Sequence, residues 1–252
     1  MYRFKIGIIL KDKVYIEPAA NNNYDILLES LGIENDQSQA SQKFVRAALL
    51  PDNEEWWKSP REYPEEWKFI IEQDVVPDWF NREEHEKLFR KAVCDWWEEH
   101  VLVNQKIDNL SSGFYYLKKC EVKTLCKDVT VSLYNSHIRK MKEDACVDTM
   151  WQSSYIGIMR ENSYVNSMCG TSRIEVMSEN SYVCEMRDSS QVGMMVENSK
   201  IGQMRGFSQV DRLWGMSQIG KIQDDAIAID FRDYPNIKIR VSSNAHYEMV
   251  KV

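Results

Sequence analysis

The chain has 252 residues, 43% of them hydrophobic, and a formal net charge of −7. This length and composition are typical of a globular protein, and no apolar run approaches the roughly 18 residues of a membrane span. The negative charge disfavours broad affinity for nucleic acid, which depends on clustered cations.

Residues 1–110 predict a small α/β module. Two strand patterns, in residues 2–10 and 13–19, are joined by a short turn, and a helix is indicated over residues 24–33, where it ends near Gly32. Two further strands are indicated by the apolar runs at residues 44–51 and 66–74. This order of elements indicates a mixed α/β module.

The clearest helix is predicted from about Arg82 to Val101, with Asn81 as its N-cap and Glu84 completing a capping box. Its predicted apolar face consists of Leu88, Phe89, Ala92, Val93, Trp96, Trp97 and Val101. The helix belongs to the acidic segment 51–100, which has 15 Asp or Glu and seven Lys or Arg. Six of the eight tryptophans lie in this segment, and we interpret them as core residues rather than as a binding surface.

Residues 129–227 follow a nine-residue period. The β-branched column is Val129, Ile138, Val147, Ile156, Val165, Ile174, Val183, Val192, Ile201, Val210 and Ile219. Three residues later the chain has Met or another apolar residue in ten of these units, and two residues earlier it has Ser or Ala. Such a repeat is typical of a parallel β-solenoid, in which the repeated residues face inward.

A longer period sets the size of the coil. Glu143, Glu161, Glu179 and Glu197 recur every 18 residues, so two nonapeptides form one coil. The predicted fold is a right-handed parallel β-solenoid with about 18-residue, two-sheet coils, preceded by the α/β module. We expect five to six coils between residues 129 and 227. A three-sided coil of 27 residues is the alternative, and it leaves the alternation of the glutamates unexplained.

The ends of the solenoid need covers, because uncovered strand edges invite aggregation. We expect residues 111–128 to form a junction and cap at one end. At the other end, residues 228–252 predict a C-terminal β cap, built as a short sheet or a final irregular coil.

The six cysteines form no C-x-x-C pair, and the four histidines form no cluster. The apolar segment at residues 6–10 also lacks the cleavage site of a signal peptide. We therefore expect free thiols, a cytoplasmic protein, no membrane anchor, and no metal or cofactor. The turns lack the G-G-x-G-x-D pattern of calcium-binding nonapeptide rolls, although the stacked glutamates leave weak cation binding open.

Units such as "MRDSSQVGM" and "MWQSSYIGIM", which follow "EEWKFIIEQDVVPDWF", resemble uncharacterised nonapeptide-repeat proteins of gut bacteria and their phages. Those proteins have an N-terminal module that ends in a Q-D-x-x-P-D-W element, matched here by Gln73, Asp74, Pro77, Asp78 and Trp79. The resemblance covers about residues 40–225. It implies the solenoid architecture and a phage or mobile-element setting, and it implies no particular reaction.

The outward positions before each β-branched residue contain no pair of carboxylates, so we expect a protein that is not an enzyme. The candidate binding residues are those that vary: Tyr155, Tyr164, Arg173, Tyr182, Glu161, Glu179 and Glu197. The leading hypothesis is a cytoplasmic interaction protein that binds a partner protein, such as a phage factor acting on a host protein. The alternatives are a virion-associated assembly protein, oligomerising through a solenoid face or end, and a carbohydrate-processing β-helix enzyme.

Overall fold

The computed structural model describes residues 5–17, 23–34, 43–230, 240–242 and 244–249. The chain forms two compact units, Met1–Val101 and Leu102–Val252. Among the described residues, no helix is both long enough and apolar enough to cross a membrane.

The first unit contains a four-stranded antiparallel sheet in the order β2-β1-β3-β4. Its strands are β1 (Lys5–Leu10), β2 (Lys13–Ile16), β3 (Val45–Pro51) and β4 (Trp67–Ile71). Its helices are α1 (Tyr24–Ser30) and α2 (Arg82–His100), with 3-10 turns at Asp52–Glu54 and Pro64–Glu66. The four predicted strands and two predicted helices of the α/β module are therefore confirmed, but the unit ends at Val101 and not at residue 110.

Helix α2 begins at the predicted cap, because the Asn81 side chain accepts hydrogen bonds from the backbone N–H groups of Glu83 and Glu84 at 3.1 and 3.3 Å. Its buried stripe includes Phe89 and Val93. Leu88 was predicted on this face and instead is 42% exposed. The prediction for Leu88 is wrong because the stripe follows residues 85, 89, 93 and 96, and position 88 points to the side of it.

Aromatic residues build much of the core of the first unit. Trp56, Trp67 and Trp96 are buried, which confirms their interpretation as core residues. Trp96 covers a buried cation, since the Lys5 ammonium lies 3.6 Å from its ring centroid and 3.6 Å from a carboxylate oxygen of Glu17. Burial lowers the pKa of Lys5 to about 8, an effect that Glu17 opposes.

The Q-D-x-x-P-D-W element contributes to the same unit through Gln73. The Gln73 side-chain oxygen accepts a hydrogen bond from the backbone N–H of Arg46 at 2.8 Å. Its amide nitrogen donates to the carbonyls of Phe44 at 3.2 Å and Val75 at 2.8 Å. Gln73 thus fixes the loop after β4 to the start of β3.

The second unit consists of two nine-stranded parallel sheets, which we call the odd and even sheets after their strand numbers. The odd sheet contains β5 (Val101–Val103), β7 (Gly113–Lys118), β9 (Val129–Tyr134), β11 (Cys146–Trp151), β13 (Tyr164–Met168), β15 (Tyr182–Met186), β17 (Lys200–Met204), β19 (Gln218–Ile222) and β21 (Arg240–Val241). The even sheet contains β6 (Lys106–Leu110), β8 (Glu121–Leu125), β10 (His137–Met141), β12 (Tyr155–Met159), β14 (Arg173–Met177), β16 (Gln191–Met195), β18 (Gln209–Leu213), β20 (Ile227–Asp230) and β22 (His246–Met249). The chain alternates between the sheets, which confirms the two-sheet β-solenoid.

The register confirms the 18-residue coil, because Ile156 pairs with Ile174 and Met159 with Met177. The solenoid has about eight turns, rather than the five to six expected, because it begins before residue 129. Residues 111–128 are not a cap, since β7 and β8 are ordinary members of the two sheets. The nonapeptide spacing misses these first coils because they are shorter: Val122 pairs with Ile138, 16 residues away.

The same shortening displaces the start of the β-branched column. Val147 pairs with Val131, so Val129 is not in register with the later members. At the other end, β20 and β22 continue the even sheet as parallel strands, and β21 continues the odd sheet. Residues 228–230 and 246–249 therefore extend the solenoid, whereas residues 231–239 and 250–252 lie outside the described residues.

The interior of the solenoid follows the repeat. The Val or Ile and Met columns are buried, and so are the serines, as predicted. The Ser154 and Ser199 hydroxyls donate to the carbonyls of Trp151 at 2.7 Å and Val196 at 2.8 Å. Within the described ranges, five buried serine hydroxyls have no hydrogen-bond partner: Ser163, Ser172, Ser181, Ser190 and Ser208. These serines are therefore buried without a hydrogen bond from their hydroxyls to the described residues.

Candidate functional site

The predicted binding glutamates form a ladder along one edge of the solenoid. The backbone N–H of Glu143 donates to the carboxylate of Glu161 at 2.9 Å, that of Glu161 to Glu179 at 3.0 Å, and that of Glu179 to Glu197 at 2.7 Å. Each carboxylate therefore accepts a hydrogen bond from the coil before it. This gives the glutamates a structural role, and their role in binding stays a prediction.

The glutamates of the ladder lie in turns that strain their backbone. Glu161, Glu179 and Glu197 have φ between 55° and 58°, a left-handed conformation that costs a residue with a Cβ about 1–2 kcal/mol. The other edge uses the same device, since the N–H of Gly170 donates to a carboxylate oxygen of Asp188 at 2.8 Å. In the described part of the chain, no group of three His, Cys, Asp or Glu residues is placed to hold a metal ion.

On the odd sheet, Tyr164 and Tyr182 lie side by side, with ring centroids 5.5 Å apart. Lys200 follows Tyr182 in the same register, as predicted from the 18-residue spacing. The Tyr164 hydroxyl donates to the side-chain oxygen of Asn166 at 3.2 Å. Burial raises the pKa of Tyr164 to about 12, so the phenol is neutral at physiological pH and can act in hydrogen bonding.

Much of the remaining odd face is occupied by contacts within the solenoid. Glu185 is buried, and its carboxylate pairs with Arg187 and with Arg205, the latter at 2.6 Å. Gln203 donates to the same carboxylate at 2.9 Å. These bonds engage Glu185, Arg187 and Arg205 within the solenoid, and a binding role for the tyrosine pair stays a prediction.

On the even sheet, Tyr155 and Arg173 are neighbours in adjacent strands, as predicted. Arg173 is held by several partners: it pairs with Glu175 at 2.9 Å, donates to the Gln191 side chain at 2.9 Å and lies 3.6 Å from Asp211. The guanidinium therefore braces three coils. Tyr155 instead faces an open groove.

This groove, of about 840 Å³, lies on the outer surface of the even sheet. It crosses β6, β8, β10, β12 and β14. Its apolar part is formed by the half-buried side chains of Tyr155, Ile158 and Val176. Gly157 also lines the groove, and a Cβ there would lie 2.6 Å from the carbonyl oxygen of Arg139, so glycine fits the close approach of the two strands.

The charged side chains of the groove are mostly paired. Lys123 lies 2.5 Å from Asp108 and Lys106 lies 3.3 Å from Glu121. Arg139 differs from these, since it forms no ion pair with any residue that the structure describes. His137 stands on the same strand with its ring 5.8 Å from that of Tyr155. The groove therefore joins one unpaired cation to an apolar surface.

The groove residues other than Tyr155 were not predicted as site residues. The predicted tyrosines and Arg173 lie at the position before a β-branched residue, whereas Gly157, Ile158 and Val176 lie one and two positions after it. A signal for them exists in the 18-residue register, where Ile158, Val176 and Met194 occupy equivalent positions of β12, β14 and β16. Three consecutive apolar side chains on an outer face indicate a contact surface.

All six cysteines are free thiols. Burial raises the pKa of Cys94, Cys120, Cys146 and Cys169, which disfavours the reactive thiolate. None of the six cysteines lines the groove. The chemistry available there is therefore that of carboxylates, cations, an imidazole and a phenol.

No protein-family model matches the sequence, and neither the curated proteins nor the solved structures give a match.

Proposed function

We propose that this is a non-enzymatic interaction protein whose solenoid is a rigid scaffold and whose even-sheet groove binds a partner protein. The observation that carries the proposal is the open groove of about 840 Å³ with an apolar wall and an unpaired arginine. Binding sites of this size combine an apolar lining with a few polar groups that set orientation. Sites built on strands also hold their side chains more firmly than sites on loops.

Binding is favoured over acid–base catalysis by the state of the groove carboxylates. Asp108, Glu121 and Glu175 each form an ion pair, with N···O distances of 2.5, 3.3 and 2.9 Å. Glycoside hydrolysis, the carbohydrate alternative, needs one carboxyl group that donates a proton and a second that acts as base or nucleophile. Three carboxylates already engaged with cations are better suited to holding the groove in shape.

The resemblance to nonapeptide-repeat proteins of gut bacteria and their phages supports a phage or mobile-element setting. In that setting the partner is a protein of the host cytoplasm. A scaffold with a constant interior and a variable outer face suits this role, because its surface can change without disturbing the core.

Affinity capture with paired variants tests the proposal. Ile158→Lys together with Val176→Lys places two charges in the groove at half-buried positions on the outer face. Tyr164→Ala together with Tyr182→Ala alters the odd sheet and serves as the control. From a lysate of the native host, we expect a protein that the wild-type chain and the control capture and the groove variant does not. Loss from the control alone would move the site to the odd sheet and refute the proposal.

An assembly protein is the second candidate, favoured by apolar side chains exposed in the last part of the solenoid. Phe207 and Met216 are 69% and 68% exposed, and Val241 and Met249 are 43% and 46% exposed. Exposed apolar patches often mark association surfaces. Light scattering on the purified chain separates the candidates: a stable trimer or polymer that Phe207→Ser with Met216→Ser dissociates would support assembly, and a monomer would leave partner binding as the better explanation.

A further inference from the structure

The side chains of β10 give the middle of the groove a basic character. His137, Arg139 and Lys140 follow one another around the outward positions of this strand. Arg139 and Lys140 have no ion-pair partner among the residues that the structure describes. This is a local excess of positive charge in a chain whose net charge is −7. Charge complementarity therefore favours an anionic group at β10.

The next two strands of the groove are apolar. Lys140 pairs in register with Ile158 on β12, and Ile158 pairs with Val176 on β14. Neighbouring strands lie about 4.8 Å apart, so the apolar wall begins about 5 Å from the basic strand and extends to about 10 Å. Glu175 on β14 disfavours an anion at that far end, although Arg173 pairs with it. A ligand along the groove thus has one favoured direction.

An extended peptide fits these distances. Side chains on one face of an extended peptide are two residues, or about 6.7 Å, apart. This spacing lies between the distance from β10 to β12, about 5 Å, and the distance from β10 to β14, about 10 Å. Resting on the proposed function, we propose that the groove binds an extended segment of a partner protein in which Asp or Glu precedes a bulky apolar residue by two positions. The carboxylate meets Arg139, and the apolar side chain lies over Gly157 against Ile158 and Val176.

A peptide titration of the full chain tests this chemistry. The probe is the capped peptide Gly-Ser-Asp-Ser-Leu-Ser-Gly, and its controls replace Asp with Asn or insert two serines between Ser and Leu. Backbone amide NMR signals report both the affinity and the site. We expect signals of Gly157 and Val176 to shift, and the Asp peptide to bind about three- to fivefold more tightly than either control.

The variant Arg139→Gln provides the matched test, because the side chain is exposed and forms no ion pair with a residue that the structure describes. We expect it to remove the preference for Asp over Asn while the weaker, apolar part of the binding persists. Lys140→Gln is the second variant, and we expect a smaller loss from it. Circular dichroism of both variants checks that they are folded.

Each other outcome would overturn the inference in a distinct way. Equal affinity for the Asp and Asn peptides would contradict the role of the carboxylate. Absence of any shift at millimolar peptide, with partner capture still dependent on Ile158 and Val176, would refute the peptide chemistry and leave the proposed function standing. If no signal shifts and partner capture does not depend on Ile158 and Val176, the peptide chemistry and the proposed function are both refuted. A dimer in light scattering that Arg139→Gln dissociates would assign the groove to a second copy instead.

Discussion

The glutamate ladder makes a quantitative prediction at Glu179. Its carboxylate accepts the N–H of Glu161 at 3.0 Å, and its own backbone is left-handed with φ of 57°. Glu179→Ala removes the hydrogen bond and keeps the strain, whereas Glu179→Gly removes both. Comparing the two substitutions separates the contribution of the hydrogen bond from that of the backbone.

The expected magnitudes follow from these two terms. A hydrogen bond to a charged group contributes about 1.5–3 kcal/mol, and we take about 1.5 kcal/mol because the carboxylate is only half-buried. Glycine recovers about 1 kcal/mol of left-handed strain. We therefore expect losses of about 1.5 kcal/mol for alanine and about 0.5 kcal/mol for glycine, which correspond to melting temperatures lowered by roughly 3–6 °C and 1–2 °C.

Differential scanning calorimetry on the wild type and both variants measures these shifts. Asn180→Ala is the control, because this exposed neighbour in the same turn does not belong to the ladder. Its melting temperature should match that of the wild type. A glycine variant less stable than the alanine variant, or an alanine variant as stable as the wild type, would refute the structural role of the ladder.

Three further predictions concern the interior of the two units. Met168→Asp buries an unpaired charge at a fully buried position, and we expect several kcal/mol of destabilisation, seen as unfolding or aggregation; a soluble variant with unchanged melting would refute the inward assignment. Ser199→Ala should lower the free energy of unfolding in urea by about 1 kcal/mol, because the Ser199 hydroxyl donates to the carbonyl of Val196. Ser181→Ala should be neutral or stabilising, because it removes a hydroxyl that has no partner within the described ranges. Lys5 has a folded pKa of about 8 against an ordinary 10.5, so the folded state binds fewer protons than the unfolded state between these pH values. The free energy of unfolding of the first unit should therefore rise by roughly 3 kcal/mol from pH 8 to 10.5. The variant Lys5→Met should abolish that rise. An unchanged pH dependence in the variant would show that other groups cause it.

The coil and its interior were predictable because a solenoid repeats its burial pattern at every half-coil. The same residue types must then recur, as Ile156 and Ile174 do, and the sequence displays the register directly. The first coils were missed for the same reason, since 16 residues separate Val122 from Ile138 and the regular spacing is lost. A fold built on repetition is predictable only where the repetition holds.

The candidate site was less predictable because outward residues carry no such repetition. A groove depends on which side chains of different coils are neighbours, and Gly157 has a role only beside Arg139 and Ile158. The glutamates illustrate the opposite difficulty. Their regular spacing suggested a binding edge, yet it reflects backbone N–H groups of left-handed turns, a requirement that spacing alone does not reveal.

Site-specific photo-crosslinking most directly tests whether the even-sheet groove binds a protein partner. A photoreactive phenylalanine analogue replaces Ile158 in the groove or, as the control, the outward residue Ser167 of the odd sheet, and each chain is irradiated in the native host. We predict a discrete crosslinked protein from position 158, and a severalfold lower yield of it when Arg139→Gln is added. Crosslinks from position 167 with none from position 158 would contradict the assignment of the partner site to the groove.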